Sequence, residues 1–395
     1  MMGLLAKEIA DALREVIPND YHSAVLHEPS FTDRDRTLVM DCIDSGFVSS
    51  VGQYVDEFEL RLAEYLGVKH VVAVVNGTAA LHLGLKLVGV EENDEVIMPS
   101  LSFVATANAA HYCGAIPHFV DIDQLTLGLS PTRLDEHLSH CVVKKNGNCI
   151  NRDSGRRVAA IVPMHTFGHP VDMDALNTVA EKYGIPVVED AAESLGSKYK
   201  GRMTGSLSAL AAVSFNGNKI ITTGGGGAIA TNNEELAKRA KHLSTTAKEP
   251  HSWSFSHDEI GFNYRMPNLN AALGCAQLES LPGYLDQKRN LAMKYKLKFD
   301  CVEGVSFVSE PVFAESNYWL NALLIDESMA GQRDEILQLT NENNIMTRPV
   351  WKLLHTLPIY AQCPHMDDMS VSKSIERRLL NIPSSPFLFR ENDES

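Results

Sequence analysis

Lys219 is the residue of this sequence whose surroundings most favour covalent chemistry. It ends the stretch Ser214-Phe215-Asn216-Gly217-Asn218-Lys219, which continues an apolar run and precedes the glycines 224 to 227. A short polar turn between an apolar strand and a glycine-rich segment would hold a lysine rather than solvate it. When apolar walls remove water from an ammonium, its pKa falls and the neutral amine can add to an aldehyde. The alternative is an ordinary surface lysine on a flexible turn, which is the commoner fate of an isolated lysine.

Other polar groups also follow predicted strands, where open α/β sheets bind their ligands. Gly77 and Thr78 come directly after the apolar run His70 to Val75. Gly77 allows close approach of the backbone, and Thr78 begins a helix whose free N–H groups suit a phosphate. Asp190 and Ser214 end two further apolar runs. Each of them also has a purely structural explanation, as a turn with a helix cap or as a core carboxylate bonded to backbone N–H groups.

The order of these groups along the chain matches a pyridoxal phosphate site. A carboxylate such as Asp190, facing a pyridine ring, would keep the ring nitrogen protonated and make the ring an electron sink. Phe103 could stack on a flat ring, although an aromatic residue in an amphipathic helix is more often part of the core. The chain thus presents a phosphate turn, an aromatic residue, an aspartate at a strand end, and then a serine and a lysine five residues apart.

Further stretches carry a resemblance to a known family. They are Val48-Ser49-Ser50, Tyr54-Val55-Asp56-Glu57-Phe58-Glu59, Asn76-Gly77-Thr78-Ala79-Ala80-Leu81, Val188-Glu189-Asp190-Ala191-Ala192-Glu193 and Gly261-Phe262-Asn263-Tyr264-Arg265-Met266. With them the chain resembles the DegT/StrS group of nucleotide-sugar aminotransferases from about residue 26 to 386. The resemblance implies the aspartate aminotransferase-like α/β fold (fold type I). In that fold a large domain with a mixed, mainly parallel sheet of the seven-stranded type binds the cofactor, and a smaller α+β domain follows it.

The resemblance also implies a role for each matched position. Lys219 is similar to the catalytic lysine that binds pyridoxal 5'-phosphate and moves the proton, and pyridoxamine phosphate is the other cofactor form. Glu193 stands where many members have Gln or His beside the cofactor hydroxyl, and Asn216 replaces a frequent histidine. The remaining implied cofactor contacts are Asp190 to the pyridine nitrogen, Phe103 to the ring, Gly77, Thr78 and Ser214 to the phosphate, and Asn263, with Arg265 as a further candidate, across a homodimer interface.

The stretch from Phe215 to Gly227 is similar to the subgroup of legionaminic-acid and bacillosamine pathways. This implies transfer of an amino group from L-glutamate to C4 of a nucleotide-linked 4-keto-6-deoxy-2-acetamido sugar for surface glycans. The carrier, UDP or GDP, stays open, and a perosamine-type GDP-4-keto-6-deoxymannose aminotransferase is the alternative. The predicted substrate-binding residues are Arg265, Arg348 and Lys352 for the diphosphate, each of which could equally be a solvated charge, with Trp351, His27 and His355 lining the pocket.

Three rival functions fit parts of the pattern. A sugar dehydratase of the same fold uses pyridoxamine phosphate without a Schiff-base lysine, and Lys219 argues against it. A nicotinamide-dependent oxidoreductase needs G-x-G-x-x-G after its first strand, whereas Asn76-Gly77-Thr78 follows His70 to Val75 here. A binding protein that keeps the cofactor without turnover stays open.

Apolar runs that alternate with helical segments predict a parallel α/β sheet. We expect an N-terminal segment at 1–30, a large α/β domain at 31–275 and a small α+β domain at 276–395. A helix is predicted through Phe103 to Tyr112, separate helices on either side of Pro282, and a loop at 141–157, to which no chemistry is assigned.

Composition excludes several classes of partner. The net charge of −15 argues against binding to nucleic acid or to an anionic membrane, so an anionic ligand needs a local cluster of cations. The seven cysteines contain no C-x-x-C pair, so the sequence indicates neither a zinc site nor a disulfide framework, and no metal is predicted. Without an export signal or a long apolar run, we expect a cytoplasmic protein.

Overall fold

A mixed sheet of seven strands organises the larger part of the chain. The computed structural model describes residues 3–18 and 20–390. Its strands are β1 (His70–Val74), β2 (Glu95–Pro99), β3 (Ile116–Val120), β4 (Val142–Lys145), β5 (Asn148–Asn151), β6 (Val158–Ile161), β7 (Val188–Asp190), β8 (Lys198–Tyr199), β9 (Arg202–Met203), β10 (Leu210–Ser214), β11 (Gly227–Thr231), β12 (Val305–Phe307), β13 (Ala314–Glu315), β14 (Asn321–Ile325), β15 (Arg348–Pro349) and β16 (Leu379–Ile382).

Helices cover both faces of this sheet and lead into the C-terminal region. They are α1 (Leu4–Val16), α2 (Asp33–Asp44), α3 (Gln53–Leu66), α4 (Gly77–Leu87), α5 (Val104–Tyr112), α6 (Pro131–Cys141), α7 (Met173–Tyr183), α8 (Glu234–Ser244), α9 (Asn268–Phe299), α10 (Arg333–Glu342) and α11 (Ser370–Arg378).

The sheet has the order β1-β11-β10-β7-β6-β2-β3. Strands β1, β11, β10 and β7 form one ladder, and β6, β2 and β3 form another. Parallel bridges from Ile161 to Val187 and from Met164 to Asp190 join the two ladders. Within the seven, β11 is antiparallel to both of its neighbours, while the other pairings are parallel. The predicted fold class, a mixed and mainly parallel seven-stranded α/β sheet, is therefore confirmed.

Burial on both faces explains why these strands read as continuous apolar runs. Every residue of β2, β6, β10 and β11 is buried. Small residues let the helices and strands approach closely, as at Gly227, where a Cβ atom would lie 2.4 Å from the carbonyl carbon of Asn76. Strand β11 thus fixes the backbone at the start of α4.

Helix α9 is a single helix, although two helices were predicted. Pro282 lies inside it, and its missing N–H removes only one i to i−4 hydrogen bond. Buried residues on both sides, among them Leu281 and Tyr284, hold the two halves in line against the core. The predicted boundary between residues 275 and 276 falls within this helix.

A second sheet lies in the C-terminal region, with the order β12-β14-β16-β15. Helix α1 packs on it, since Leu13, Tyr295 and Ile325 belong to one apolar cluster. Residues of α1 therefore complete the core of the last third of the chain. The division into units at 30/31 and 275/276 stays a prediction.

The segment predicted as a loop at 141–157 contains a hairpin. Strands β4 and β5 pair from Val142 with Asn151 to Lys145 with Asn148. Asn146 and Gly147 have positive φ angles, and the Asn-Gly pair between two short strands is a typical hairpin turn. Among residues 3–18 and 20–390, no helix combines the length and the apolar character needed to cross a bilayer.

We expect Phe58→Ala to lower the free energy of unfolding by about 3–5 kcal/mol, because it removes a buried ring from a close-packed site. Phe58 is fully buried, and its ring centroid lies 5.1 Å from that of Phe215. Chemical denaturation would measure the loss. Leu60→Ala on the same helix is the control, since Leu60 is 61% exposed and should change little; equal effects of both variants would contradict this packing.

Candidate active site

A cavity of about 330 Å³ lies at the carboxyl ends of β1, β7 and β10. Because these parallel strands end at one edge of the sheet, the residues that follow them meet there. Residues from the start of α5 and from the C-terminal region cover the opening. The lining residues are Asn76, Gly77, Thr78, Leu81, Phe103, Ala105, Thr106, Met164, Asp190, Ala192, Glu193, Ser214, Asn216, Asn218, Lys219, Trp319 and Trp351.

Asp190 supplies a buried carboxylate to this cavity. Thr106 donates its hydroxyl proton to Asp190 Oδ2 over 2.7 Å, and the N–H of Ala192 donates to Oδ1 over 3.2 Å. Burial raises the pKa of Asp190, and the hydrogen bonds from Thr106 and Ala192 oppose that effect. A cationic group placed in the cavity would favour the ionised carboxylate.

The start of α4 and the end of β10 form a narrow cradle. A Cβ atom on Gly77 would lie 2.8 Å from Cβ of Ser214, so only glycine fits there. Asn76 caps the helix by accepting the N–H of Ala79 over 2.8 Å. The N–H groups of Gly77 and Thr78 belong to the first turn, where a helix has no internal acceptors for them. They and Ser214 can bind an anion.

Lys219 lies between an aromatic face and a carboxylate. Its Nζ is 3.8 Å from the ring centroid of Trp319 and 3.3 Å from Oε1 of Glu193. Its side chain is only 12% exposed. The prediction that this lysine is held rather than solvated agrees with the geometry.

Glu193 is the second buried carboxylate of the cavity. Its Oε2 accepts a hydrogen bond from the N–H of Phe167 over 3.0 Å. Phe167 itself has a positive φ of 56°. Burial raises the pKa of Glu193 to about 7, and the charge of Lys219 limits that rise. The carboxyl group therefore changes its protonation state near neutral pH.

Phe103 precedes α5 rather than lying within it, which corrects the predicted helix boundary. It is the N-cap residue, with an extended backbone, and the residue is 48% exposed and lines the cavity. The ring centroid lies 6.1 Å from that of Trp351. Because Phe103 is exposed and lines the cavity, its ring can stack on a flat ligand there, whereas a ring buried in the core could not.

A second cavity, of about 460 Å³, adjoins the first. Asn218, Trp319 and Trp351 line both. Three cations also line the second cavity, namely Arg333, Arg348 and Lys352. The predicted substrate residues Arg348, Trp351 and Lys352 are thus brought together beside the first cavity.

Four other predicted residues line neither cavity in the described part of the chain. Asn263 and Arg265 are exposed, and Arg265 Nε donates to Asn263 Oδ1 over 3.1 Å. His355 lies within 2.6 Å of the Ser100 hydroxyl, which explains it as a structural contact. The notion that His27 and His355 line the pocket is not supported by these contacts.

His27 is buried next to the site rather than in it. Neither ring nitrogen has a partner among the described residues. Burial lowers the pKa of His27 well below its usual value, and the charges of Lys288 and Lys219 add to that effect. Its imidazole is therefore neutral at pH 7.

Sequence reasoning missed Thr106, Trp319 and Asn218. Thr106 follows Phe103 by three residues, and a hydroxyl in the first turn of a helix next to a predicted site was a usable signal. Trp319 lies 100 residues beyond Lys219 in the chain. Its indole N–H donates to the carbonyl of Asn218 over 2.7 Å, and only the fold reveals that contact.

Comparison with known proteins gives consistent matches. A model of the DegT/DnrJ/EryC1/StrS aminotransferase family matches residues 29–394. The putative pyridoxal phosphate-dependent aminotransferase EpsN of Bacillus subtilis is 38% identical, over 91% of this chain and 90% of EpsN. The GDP-perosamine synthase of Escherichia coli O157:H7 is 36% identical, over 93% and 94%. The crystal structure of DesI in the presence of its TDP-sugar product is 28% identical, with a TM-score of 0.80 over 92% of this chain and 88% of DesI.

We expect Glu193→Gln to stabilise the cofactor-free protein more at pH 8 than at pH 5. The folded pKa of about 7 lies above the unfolded value of about 4.3. Stability contributed by the neutral carboxyl is therefore present below the unfolded pKa and is lost as pH rises towards the folded one. The variant should gain about 2.5 kcal/mol over wild type between the two pH values.

Thermal unfolding of both proteins at pH 5 and pH 8 measures this difference. Glu64→Gln, at an exposed position, is the control and should show no such change. A difference between Glu193→Gln and wild type that is the same at both pH values would show that Glu193 does not titrate in this range.

Proposed function

The chain belongs to the DegT/DnrJ/EryC1/StrS aminotransferase family, and from this premise we propose which groups it transfers. It is a pyridoxal phosphate-dependent sugar aminotransferase. The amino donor is L-glutamate, and the acceptor is C4 of a nucleotide-linked 4-keto-6-deoxy sugar of the 2-acetamido type, for surface glycan biosynthesis. The observation that carries this proposal is the pair of adjoining cavities, one with Lys219 and two buried carboxylates and the other with three cations.

The first cavity fits pyridoxal phosphate. A Cβ atom on Gly77 would lie 2.8 Å from Cβ of Ser214, so glycine at this position lets the start of α4 approach the Ser214 hydroxyl closely. The free N–H groups at the start of α4 suit a phosphate. At the other end, burial of Asp190 makes a cationic partner such as a pyridine N–H favourable. Gly77, Thr78 and Ser214 would hold the phosphate, Asp190 the ring nitrogen and Phe103 the face of the ring.

When bound, the cofactor supplies an aldehyde that condenses with amines and a cationic ring that accepts electrons from the reacting carbon. Asp190 keeps the proton on the ring nitrogen. Thr106 fixes the orientation of that carboxylate through its 2.7 Å hydrogen bond.

Lys219 Nζ is the group that would take the proton from Cα of the donor. An ammonium must first lose a proton to act as a base, and Glu193 Oε1, 3.3 Å away, is placed to receive it. With a pKa of about 7, Glu193 can carry or release that proton near neutral pH. Trp319 covers the amine and limits access of water.

The second cavity is the proposed place of the nucleotide diphosphate. An acidic chain must bind such a dianion with local cations. Arg348 Nη1 is held by Asn341 Oδ1 at 2.8 Å, which directs its guanidinium. Lys352 is 73% exposed and 3.4 Å from Glu376, a contact weak enough to exchange for a phosphate. Trp351, shared by both cavities, would lie beside the sugar.

The identity of the sugar has two candidates within this reaction class. The stretch from Phe215 to Gly227 favours a 2-acetamido sugar of the legionaminic-acid and bacillosamine type. The similarity to GDP-perosamine synthases, at 36% identity for two of them, favours GDP-4-keto-6-deoxymannose. Both acceptors present a ketone at C4 next to a methyl-bearing C5, so the cofactor site serves either.

A homodimer is part of the proposal. Asn263 and Arg265 are exposed and line neither of this chain's own two cavities, and large apolar side chains shortly before them in the sequence are exposed too. These are Trp253 at 83%, Phe255 at 79% and Ile260 at 89%. A second copy that covers them would bring Asn263 to the neighbouring site. An active species that sediments only as a monomer would rule this out.

Lys219→Ala should abolish amino transfer, with a loss of at least about 100-fold, because the base at Nζ is removed. The variant should still bind pyridoxal phosphate reversibly, since the phosphate cradle and Asp190 remain. Absorbance of the cofactor on adding L-glutamate follows the first half-reaction directly. Lys238→Ala, at an exposed helix position, is the matched control; full activity of Lys219→Ala would sink the assignment.

A panel of UDP- and GDP-linked 4-keto-6-deoxy sugars, with and without a 2-acetamido group, tests the acceptor. Arg348→Ala should raise KM for the accepted sugar by at least about 10-fold, because a charged hydrogen bond contributes about 1.5–3 kcal/mol. The rate of the glutamate half-reaction should not change. Arg377→Ala, an exposed arginine of the same region, is the control. No activity with any member of the panel would reject the proposed acceptor class and leave the cofactor assignment intact.

A further inference from the structure

Three nitrogen and sulfur donors meet on the large α/β part, outside both cavities described above. His118 lies on β3, and His137 and Cys141 lie on α6. Their ligand atoms all lie within 4.8 Å of one another. His137 and Cys141 are four residues apart, so both project from one face of the helix. That face is the one that packs on the sheet, since Leu134 and Leu138 on it are buried.

The orientation of His118 is fixed by a buried carboxylate. His118 Nδ1 lies 2.9 Å from Oε2 of Glu95, and both side chains are almost inaccessible to solvent. With the carboxylate of Glu95 as the acceptor in this pair, His118 donates its Nδ1 proton. The lone pair of Nε2 is therefore free to bind a ligand.

Such a carboxylate behind a histidine is the usual outer shell of a protein metal site, because it sets the tautomer and the ring orientation. Glu95 is itself held by the base of the hairpin. Asn151 Nδ2 donates to Glu95 Oε2 over 2.8 Å, and the Ser154 hydroxyl donates to Oε1 over 2.5 Å. The segment 141–157 thus supports this cluster.

His118 Nε2 points at His137 Nε2, 2.7 Å away. In this arrangement the Nε2 proton of His137 is donated to the lone pair of His118. Two imidazole nitrogens on one tetrahedral zinc ion would be about 3.3 Å apart, given bonds of about 2.0–2.1 Å. A shift of about half an ångström would therefore let an ion replace the shared proton. Since His137 and Cys141 are half-buried, the ion can enter from solvent.

We propose that His118 Nε2, His137 Nε2 and Cys141 Sγ form a binding site for a divalent transition metal ion such as Zn²⁺, with water as the fourth ligand. Imidazole and thiolate ligands select such ions over Mg²⁺ and Ca²⁺. On binding, the thiol proton of Cys141 leaves to solvent, and the single ring proton of neutral His137 is exchanged through solvent from Nε2 to Nδ1, which frees the Nε2 lone pair for the ion. The bound ion would link α6 to β3.

A second cluster in the described residues offers a comparison. His242, Asp258 and Glu259 also bring ligand atoms within 4.8 Å of one another. Both oxygens of Glu259 are already taken by Arg239, and Asp258 is exposed. This cluster has no buried carboxylate behind its histidine and no sulfur, so it serves as the control.

Titration with Co²⁺ tests the proposal, using the untagged full chain with its cofactor after treatment with a chelator. Wild type should bind one equivalent and develop the visible bands of tetrahedral cobalt at wavelengths beyond the cofactor absorbance. Adding Zn²⁺ should abolish them. Cys141→Ser and His137→Ala should each weaken Co²⁺ binding by at least about 100-fold, because each removes a direct ligand, which costs more than loss of an outer-shell partner.

Cys301→Ser and His242→Ala are the matched controls and should bind Co²⁺ as wild type does. Unchanged cofactor absorbance verifies that each variant is folded, and both mutated ligands are only half-buried. Absence of saturable binding by wild type at micromolar Co²⁺ would overturn the proposal. So would equal binding by wild type, Cys141→Ser and His137→Ala.

Discussion

The position of one ammonium group depends on contacts between distant parts of the chain. Lys219 Nζ lies over the face of Trp319 and beside Glu193. An ammonium on an indole face, away from solvent, gains about 2 kcal/mol. Trp319 is fixed in turn at both ends, since its indole N–H donates to the carbonyl of Asn218 and its own carbonyl accepts from the buried Lys288 at 3.2 Å. The C-terminal region therefore helps to position the amine of Lys219, which follows β10 of the large sheet.

Burial of two carboxylates in the same cavity explains the need for that amine. Asp190 and Glu193 both have raised pKa values because burial disfavours their ionised forms. Lys219 offsets that cost for Glu193, which it contacts directly. Asp190 is satisfied by Thr106 and Ala192, but it has no cation in direct contact among the described side chains. A cation next to Asp190 would favour its ionised form, and under the proposed function the protonated ring nitrogen of the cofactor would supply that cation.

Sequence reasoning found the residues that come directly after strands. Gly77, Asp190, Ser214 and Lys219 could be placed together because the ends of parallel strands meet at one edge, and the order of the strands did not have to be known. It did not find Trp319, because no local pattern shows which C-terminal residue covers the cavity. For the same reason the continuity of α9 through Pro282 was missed, since tertiary packing on both sides overrides the local cost of a proline.

The cluster of His118, His137 and Cys141 is a second case in which the sequence alone did not show that distant residues meet. The spacing of the cysteines indicated no metal site, because only one of the three donors, Cys141, is a cysteine. The other two are histidines, and His118 lies on β3 rather than on α6. Four-residue spacing on α6 was visible in the sequence, but its meaning required the contact with β3. Local periodicity predicts which side chains share one face of a helix, but the strand that this face packs against is known only from the three-dimensional structure.

Net charge and local charge act at different ranges in this protein. At physiological ionic strength fields are screened over about 8 Å, so the −15 of the whole chain has little effect on an anion already inside a cavity. What matters there are Arg333, Arg348 and Lys352, which converge on a volume next to the cofactor site. Under the proposed function, a dianionic nucleotide carrier held by these three would place its sugar towards Trp351, which lines both cavities. An acidic protein can therefore bind an acidic substrate, provided that its cations are collected where the reacting carbon must be positioned.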